Sequence, residues 1–124
     1  MKLSDKDFDR IVKNAIRSIP DEIQKYLGNI VISVKKHPSK KMLQEMGLSP
    51  EEQLLGIYDG VSLTDRSATS PPLFPDSIIL FQDHLEEMCD TIEQLEEEIE
   101  ITVVHEVAHF VGISEERLED LGYG

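Results

Sequence analysis

Apolar residues recur at helical spacing near both ends of the chain, and short β-branched runs separate these two stretches. Phe8, Ile11, Val12, Ala15, Ile16 and Ile19 repeat every three to four positions. Ser4 and Asp7 stand ahead of them as a capping box, so the spacing predicts an amphipathic helix. Pro20 is suited to opening a second, short helix through Ile23, Tyr26 and Leu27, closed by Gly28. Asn29–Lys35 is β-rich and reads as a first strand. Ser39–Met46 predicts a helical turn stopping at Gly47. Leu54–Tyr58 is a second strand, and Asp59-Gly60 is a hairpin turn into Val61–Leu63. Thr64–Pro75, rich in Ser, Thr and Pro, is a loop. Ser77–Phe81 is the last strand.

From Thr91 onward the period becomes helical again, with apolar residues at 92, 95, 99, 103, 107 and 110/111. The β-branched run Ile99–Val104 would suit a strand taken alone. Its continuity with the charged, helix-favouring stretch before it makes it helix. Asp90 is the expected N-cap, with Glu93 closing a capping box. Gly112 supplies the left-handed residue that ends the helix. Helix, strands and a final long helix in that order predict an α+β fold in one domain, residues 1–124. A small twisted sheet would be covered on one face by the first and last long helices.

Composition narrows the class. With 40% hydrophobic and 30% charged residues the balance is that of an ordinary globular domain. No apolar stretch approaches the ~20 residues of a membrane span, and the first ten residues carry no apolar run of a signal peptide. Cys89 is the single cysteine, so no internal disulfide forms, and a cytoplasmic location is the expectation. Asp and Glu number 25 against 12 Lys and Arg, a net charge of −13, which argues against nucleic acid as a partner. The acidity is first of all a solubility feature, and it also favours a cationic peptide over an anionic ligand.

The candidate chemistry lies in His105-Glu106-Val107-Ala108-His109, an HExxH motif. Two histidines four apart on a helix stand one above the other, about 6 Å along the axis at ~1.5 Å per residue. Both imidazoles can then approach one tetrahedral Zn2+ ion. Glu106 projects beside that position, where it can take a proton from metal-bound water. A catalytic zinc needs three protein ligands and an open position. A sharp turn at Gly112 would bring residue 115, a glutamate, beneath the two histidines; Glu116, Glu119 and Asp120 are the alternatives. Chance alone places an HExxH in roughly one or two of a hundred such chains, so the surrounding pattern matters more than the bare motif.

That surrounding pattern resembles a family of short zincin-like metallopeptidases with a minimal zincin fold. The similarity covers Ile101–Gly122 including His105-Glu106-x-x-His109-x-x-Gly112-x-x-Glu115. It extends to Leu54–Leu63 and Asp76–Phe81, and more weakly to Ile19 through Val34. The resemblance implies a zinc peptidase acting on a peptide or protein substrate, with an acidic third ligand at the position of Glu115. It also implies that the strand Ile78–Phe81 is the candidate to border the cleft and pair with an extended substrate; the plainer reading is an ordinary internal or edge strand. No methionine follows His109, so the Met-turn of the metzincins is not expected.

Each of these residues also has a plainer reading. His105 and His109 could be edge-of-core histidines, Glu106 a surface carboxylate, and Glu115 a helix N-terminal carboxylate beside a Ser114 cap. His37 and His84 are read as surface or capping residues, His84 in an acidic turn. Tyr58 and Tyr123 could stabilise an oxyanion, but Tyr58 is better read as a packing residue and Tyr123 has no assignment. The alternative to a peptidase is a non-catalytic metal-binding or protein-interaction module on the same scaffold.

Overall fold

The computed structural model describes residues 1–49, 51–59 and 76–123. Among them the order is α1 (Asp5–Arg17), α2 (Asp21–Leu27), β1 (Ile30–Lys35), α3 (Lys40–Glu45) and β2 (Gly56–Asp59). It continues with β3 (Asp76–Phe81), α4 (Gln82–Met88), α5 (Ile92–Val111) and α6 (Glu115–Asp120). The fold is α+β, as the alternation of periods predicts. The expected hairpin into Val61–Leu63 and the loop Thr64–Pro75 lie outside the described residues. No helix among the described residues is long and apolar enough to cross a membrane.

The strands form a mixed sheet of order β1-β3-β2, with β1 parallel and β2 antiparallel to β3. This overturns the substrate-pairing reading of Ile78–Phe81 and agrees with the plainer one, an internal strand. β3 is the central strand with both hydrogen-bonding edges taken, so it cannot add an extended peptide. β2 is the outer strand beside α5 among the described residues. Strand centrality arises from pairing between distant segments, which local sequence pattern does not encode.

The sheet face bearing Ile78 and Leu80 meets the helices, and both residues are fully buried. α1 lays Phe8, Ile11, Val12 and Ala15 against α5, whose Leu95, Ile99, Val103 and Val107 are buried to the last atom. The predicted helical stripe of α5 holds, apart from Ile92, which is 49% exposed. The opposite face of β3 is not left to solvent, since Ile79 and Phe81 are buried as well. Strand β3 runs directly into α4, so His84 sits in a helix rather than in a turn. Its Nδ1 lies 3.1 Å from the Leu54 amide nitrogen and 2.9 Å from the Leu54 carbonyl oxygen, fastening the approach to β2. His37, in agreement with its surface reading, is exposed, 3.4 Å from an Asp83 carboxylate oxygen.

The cap of α5 falls one residue later than expected. Thr91 is extended at φ −128°, ψ 160°, and its side chain accepts from the Gln94 amide. The Gln94 side-chain oxygen reaches back to the amides of both Thr91 and Asp90, at 3.3 and 2.8 Å. A glutamine at the third helical position closes the box as a glutamate would, and its amide adds no charge to an already acidic turn.

Candidate metal centre

Helix α5 presents three stripes, and the candidate site sits where two of them meet. Leu95, Ile99, Val103 and Val107 face the core. Thr102, Glu106 and Phe110, four apart, meet β2. His105 and His109 lie on the adjoining stripe, towards solvent.

Contacts along the β2 stripe hold Glu106 in place. At Gly56 the strand approaches so closely that a Cβ would stand 2.8 Å from Thr102 Cγ2 and 3.2 Å from the Ile79 carbonyl oxygen. Two residues on, the Tyr58 ring stacks on Phe110 with centroids 4.0 Å apart and planes at 11°. The Tyr58 hydroxyl donates to Asp76 at 2.9 Å. Between these clamps the Tyr58 amide donates to Glu106 Oε2 at 3.1 Å. Burial raises the Glu106 carboxyl above its ordinary value; the Tyr58 N–H, and after it His109 and His105, pull the other way. A half-buried carboxylate with one oxygen fixed and its proton affinity raised suits proton transfer. A largely apolar cavity of about 280 Å³ opens beside it, lined by Leu54, Leu55, Gly56, Ile101, Thr102, His105 and Glu106.

The turn after α5 positions the carboxylate. Gly112 takes φ 82°, ψ 29°, and the amides of Gly112 and Ile113 both donate to the Ala108 carbonyl at 2.9 Å. This left-handed closure reverses the chain and sets α6 beside α5. Leu118 anchors α6 in the core with no exposed surface. Arg117 grips Glu22 of α2 through two bonds, at 2.8 and 2.5 Å, and Ser114 caps the helix by accepting from the Arg117 amide. Glu115 is the first residue of α6, with Oε1 3.6 Å from His109 Nε2. Both side chains stay well exposed, at 70% and 64%, so their mutual attraction adds little stability while leaving both accessible to an ion.

His105 is engaged differently. Its Nε2 lies 2.7 Å from the carbonyl oxygen of Tyr123. Its ring centroid is 6.3 Å from that of His109, with the planes at 82°. The donor types, two imidazoles and a carboxylate, fit a zinc ion. Among the described residues, however, no three His, Cys, Asp or Glu side chains converge on one point. Glu115 comes to His109, and His105 is turned to Tyr123 instead. Tyr123 and the Tyr58 amide are the participants that sequence reading missed. Both act through the backbone, which carries no side-chain signature.

An HExxH helix packed against β2, the outer strand of the small mixed sheet among the described residues, defines a minimal zincin-like scaffold. The chain belongs to the zincin-like metallopeptidase family, whose sequence model matches residues 27–124. The match takes in the whole sheet and both helices of the site, and leaves α1 outside. None of the curated proteins matches the chain.

Proposed function

We propose that the protein is a zinc-dependent peptidase, with His105, His109 and Glu115 as metal ligands and Glu106 as general base. The observation that carries this reading is the Glu106 carboxylate, half-buried beside both histidines and fixed through Oε2 by the Tyr58 amide. Bound zinc would supply Lewis acidity and a water acidified enough to be deprotonated near neutral pH.

The protein's own groups account for the rest. Glu106 keeps one oxygen on Tyr58 and offers the other to the reacting proton, which it later returns to the leaving amine. The stack of Tyr58 on Phe110 holds strand and helix in register, which keeps the Tyr58 amide on Glu106 and the carboxylate oriented. A peptide substrate would lie beside Glu106, with a side chain entering the apolar cavity. The net charge of −13 favours peptides carrying basic residues.

Glu106→Gln tests the mechanism. The variant should retain zinc and the fold while peptide hydrolysis drops by at least ~100-fold, the usual scale of general-base loss. Undiminished turnover in that variant would sink the assignment. A second reading, a non-catalytic metal-binding or protein-interaction module, draws on the engagement of His105 by Tyr123. It predicts partner binding indifferent to Glu106→Gln.

A further inference from the structure

All three polar groups of Tyr123 are engaged, and two of them reach helix α5, one at Glu100 ahead of the motif and one at its first residue, His105. Gly122, at φ 92°, reverses the chain after α6. The Tyr123 amide donates to the Leu118 carbonyl at 2.8 Å. The hydroxyl donates to Glu100 Oε1 at 2.5 Å, and the carbonyl meets His105 Nε2 at 2.7 Å. The ring packs against the edge of the core. A carbonyl oxygen only accepts, so the nitrogen facing it carries the proton. A protonated nitrogen has no lone pair for a metal.

We infer that Gly122–Tyr123 forms a latch that masks His105 Nε2, the counterpart of the His109 nitrogen that faces Glu115, so that latch closure and metal loading through that nitrogen exclude each other. The inference rests on the metal-centre reading proposed above and adds to it a gate built from the chain itself. Ion entry requires Tyr123 to withdraw its carbonyl and His105 to take the tautomer with its proton on Nδ1. The Glu100–Tyr123 bond, one turn and more before His105, sets how firmly the latch is held. Apparent metal affinity then falls by the fraction of molecules with the latch open.

Two variants loosen the latch without touching a proposed ligand. Tyr123→Phe keeps the ring and removes the hydroxyl donor; Glu100→Ala removes the acceptor. Zinc affinity is measured by competition with a chromophoric chelator, alongside the side-chain 15N spectrum of His105 in zinc-free protein. Loss of one such hydrogen bond should tighten zinc by roughly three- to tenfold. For Glu100→Ala this is opposite in sign to simple electrostatics, because deleting a nearby negative charge alone weakens cation binding. Glu100→Gln, which keeps an acceptor, should stay near wild type. The spectrum should show Nε2-protonated His105 in the wild type and a mixture in the two loosened variants. Zinc binding that depends on His105 yet is unchanged or weaker in both variants would overturn the latch alone. Zinc binding that survives His105→Ala, or none in any form of the protein, would overturn the metal-centre reading and the latch with it.

Discussion

Replacing Gly56 by alanine adds one methyl group where strand and site helix approach closely. The new Cβ would stand 2.8 Å from Thr102 Cγ2, 3.2 Å from the Ile79 carbonyl oxygen and 3.3 Å from Leu80 Cδ2. None of these neighbours yields readily. The carbonyl belongs to the central strand, Leu80 is fully buried, and Thr102 is a buried β-branched residue in a helix with a stiff χ1. Overpacking of this kind costs about 1–3 kcal/mol, and alanine's lower backbone entropy in the unfolded chain returns about 0.5–1 kcal/mol. The net expectation is a loss of about 1–2 kcal/mol, or a fall in Tm of roughly 4–10 °C for a domain of this size. Urea titration and thermal melts measure it. Thr102→Ser removes the Cγ2 methyl and leaves only the two milder contacts. In the double variant the Gly56→Ala penalty should therefore shrink by about half or more, a coupling that a double-mutant cycle isolates. Gly56→Ala at wild-type stability, or a penalty that Thr102→Ser leaves unchanged, would refute the close approach of β2 to α5 and the placement of Glu106 that follows from it.

Three further outcomes follow from the segment after α5. Leu118→Ala, at a fully buried position, should cost about 2–5 kcal/mol in urea titration and lower zinc affinity as α6 loses its anchor. Unchanged stability would contradict its burial. Gly112→Ala meets no steric neighbour, so its penalty is the left-handed backbone alone, about 1–2 kcal/mol by the same assay. Glu22→Gln removes the carboxylate that Arg117 grips and whose pKa that grip lowers. A lowered folded-state pKa means that the stabilisation is present above the unfolded value of 4.5 and is lost as pH falls through the folded one. The gap in Tm between wild type and Glu22→Gln should accordingly close on acidification below about pH 4.5; a gap independent of pH would exclude the ion pair as its cause.

What was readable in the sequence follows the range of each interaction. Helix α5 was legible through its β-branched run because the apolar period at 95, 99, 103 and 107 continues unbroken, and burial follows that period. Gly112 was legible because only its immediate neighbours determine a left-handed helix end. The cap slipped by one residue because Asp90 and Thr91 are both good N-caps, and a glutamine serves the third position as well as a glutamate. β3 as the central strand, the close approach of helix α5 at Gly56, and the burial of Glu86 under the Leu3 amide at 2.8 Å all arise from segments far apart in the chain. Their local patterns read equally well as an edge strand, an ordinary strand position and a surface acid. The Tyr123 carbonyl was beyond reach for a further reason: every residue has one, and only its placement gives it chemistry.

The site is thus assembled from two parts of unequal fixity. Glu106 and the histidines sit on α5, pinned to the sheet at Gly56 and by the Tyr58–Phe110 stack. The carboxylate nearest His109 and the carbonyl on His105 both come from the short segment after Gly112, held by Leu118 and by an Arg117–Glu22 pair that is substantially exposed to solvent. A shift of that segment therefore acts on both at once. Motion that withdraws Tyr123 from His105 while Leu118 stays seated would free one histidine and leave Glu115 beside the other. Motion that unseats Leu118 would remove the candidate ligand together with the latch. Zinc affinity should consequently rise when the contact at Tyr123 is weakened and fall when the contact at Leu118 is weakened. Opposite signs from neighbouring residues of one short segment are not expected if that segment is only structural filler.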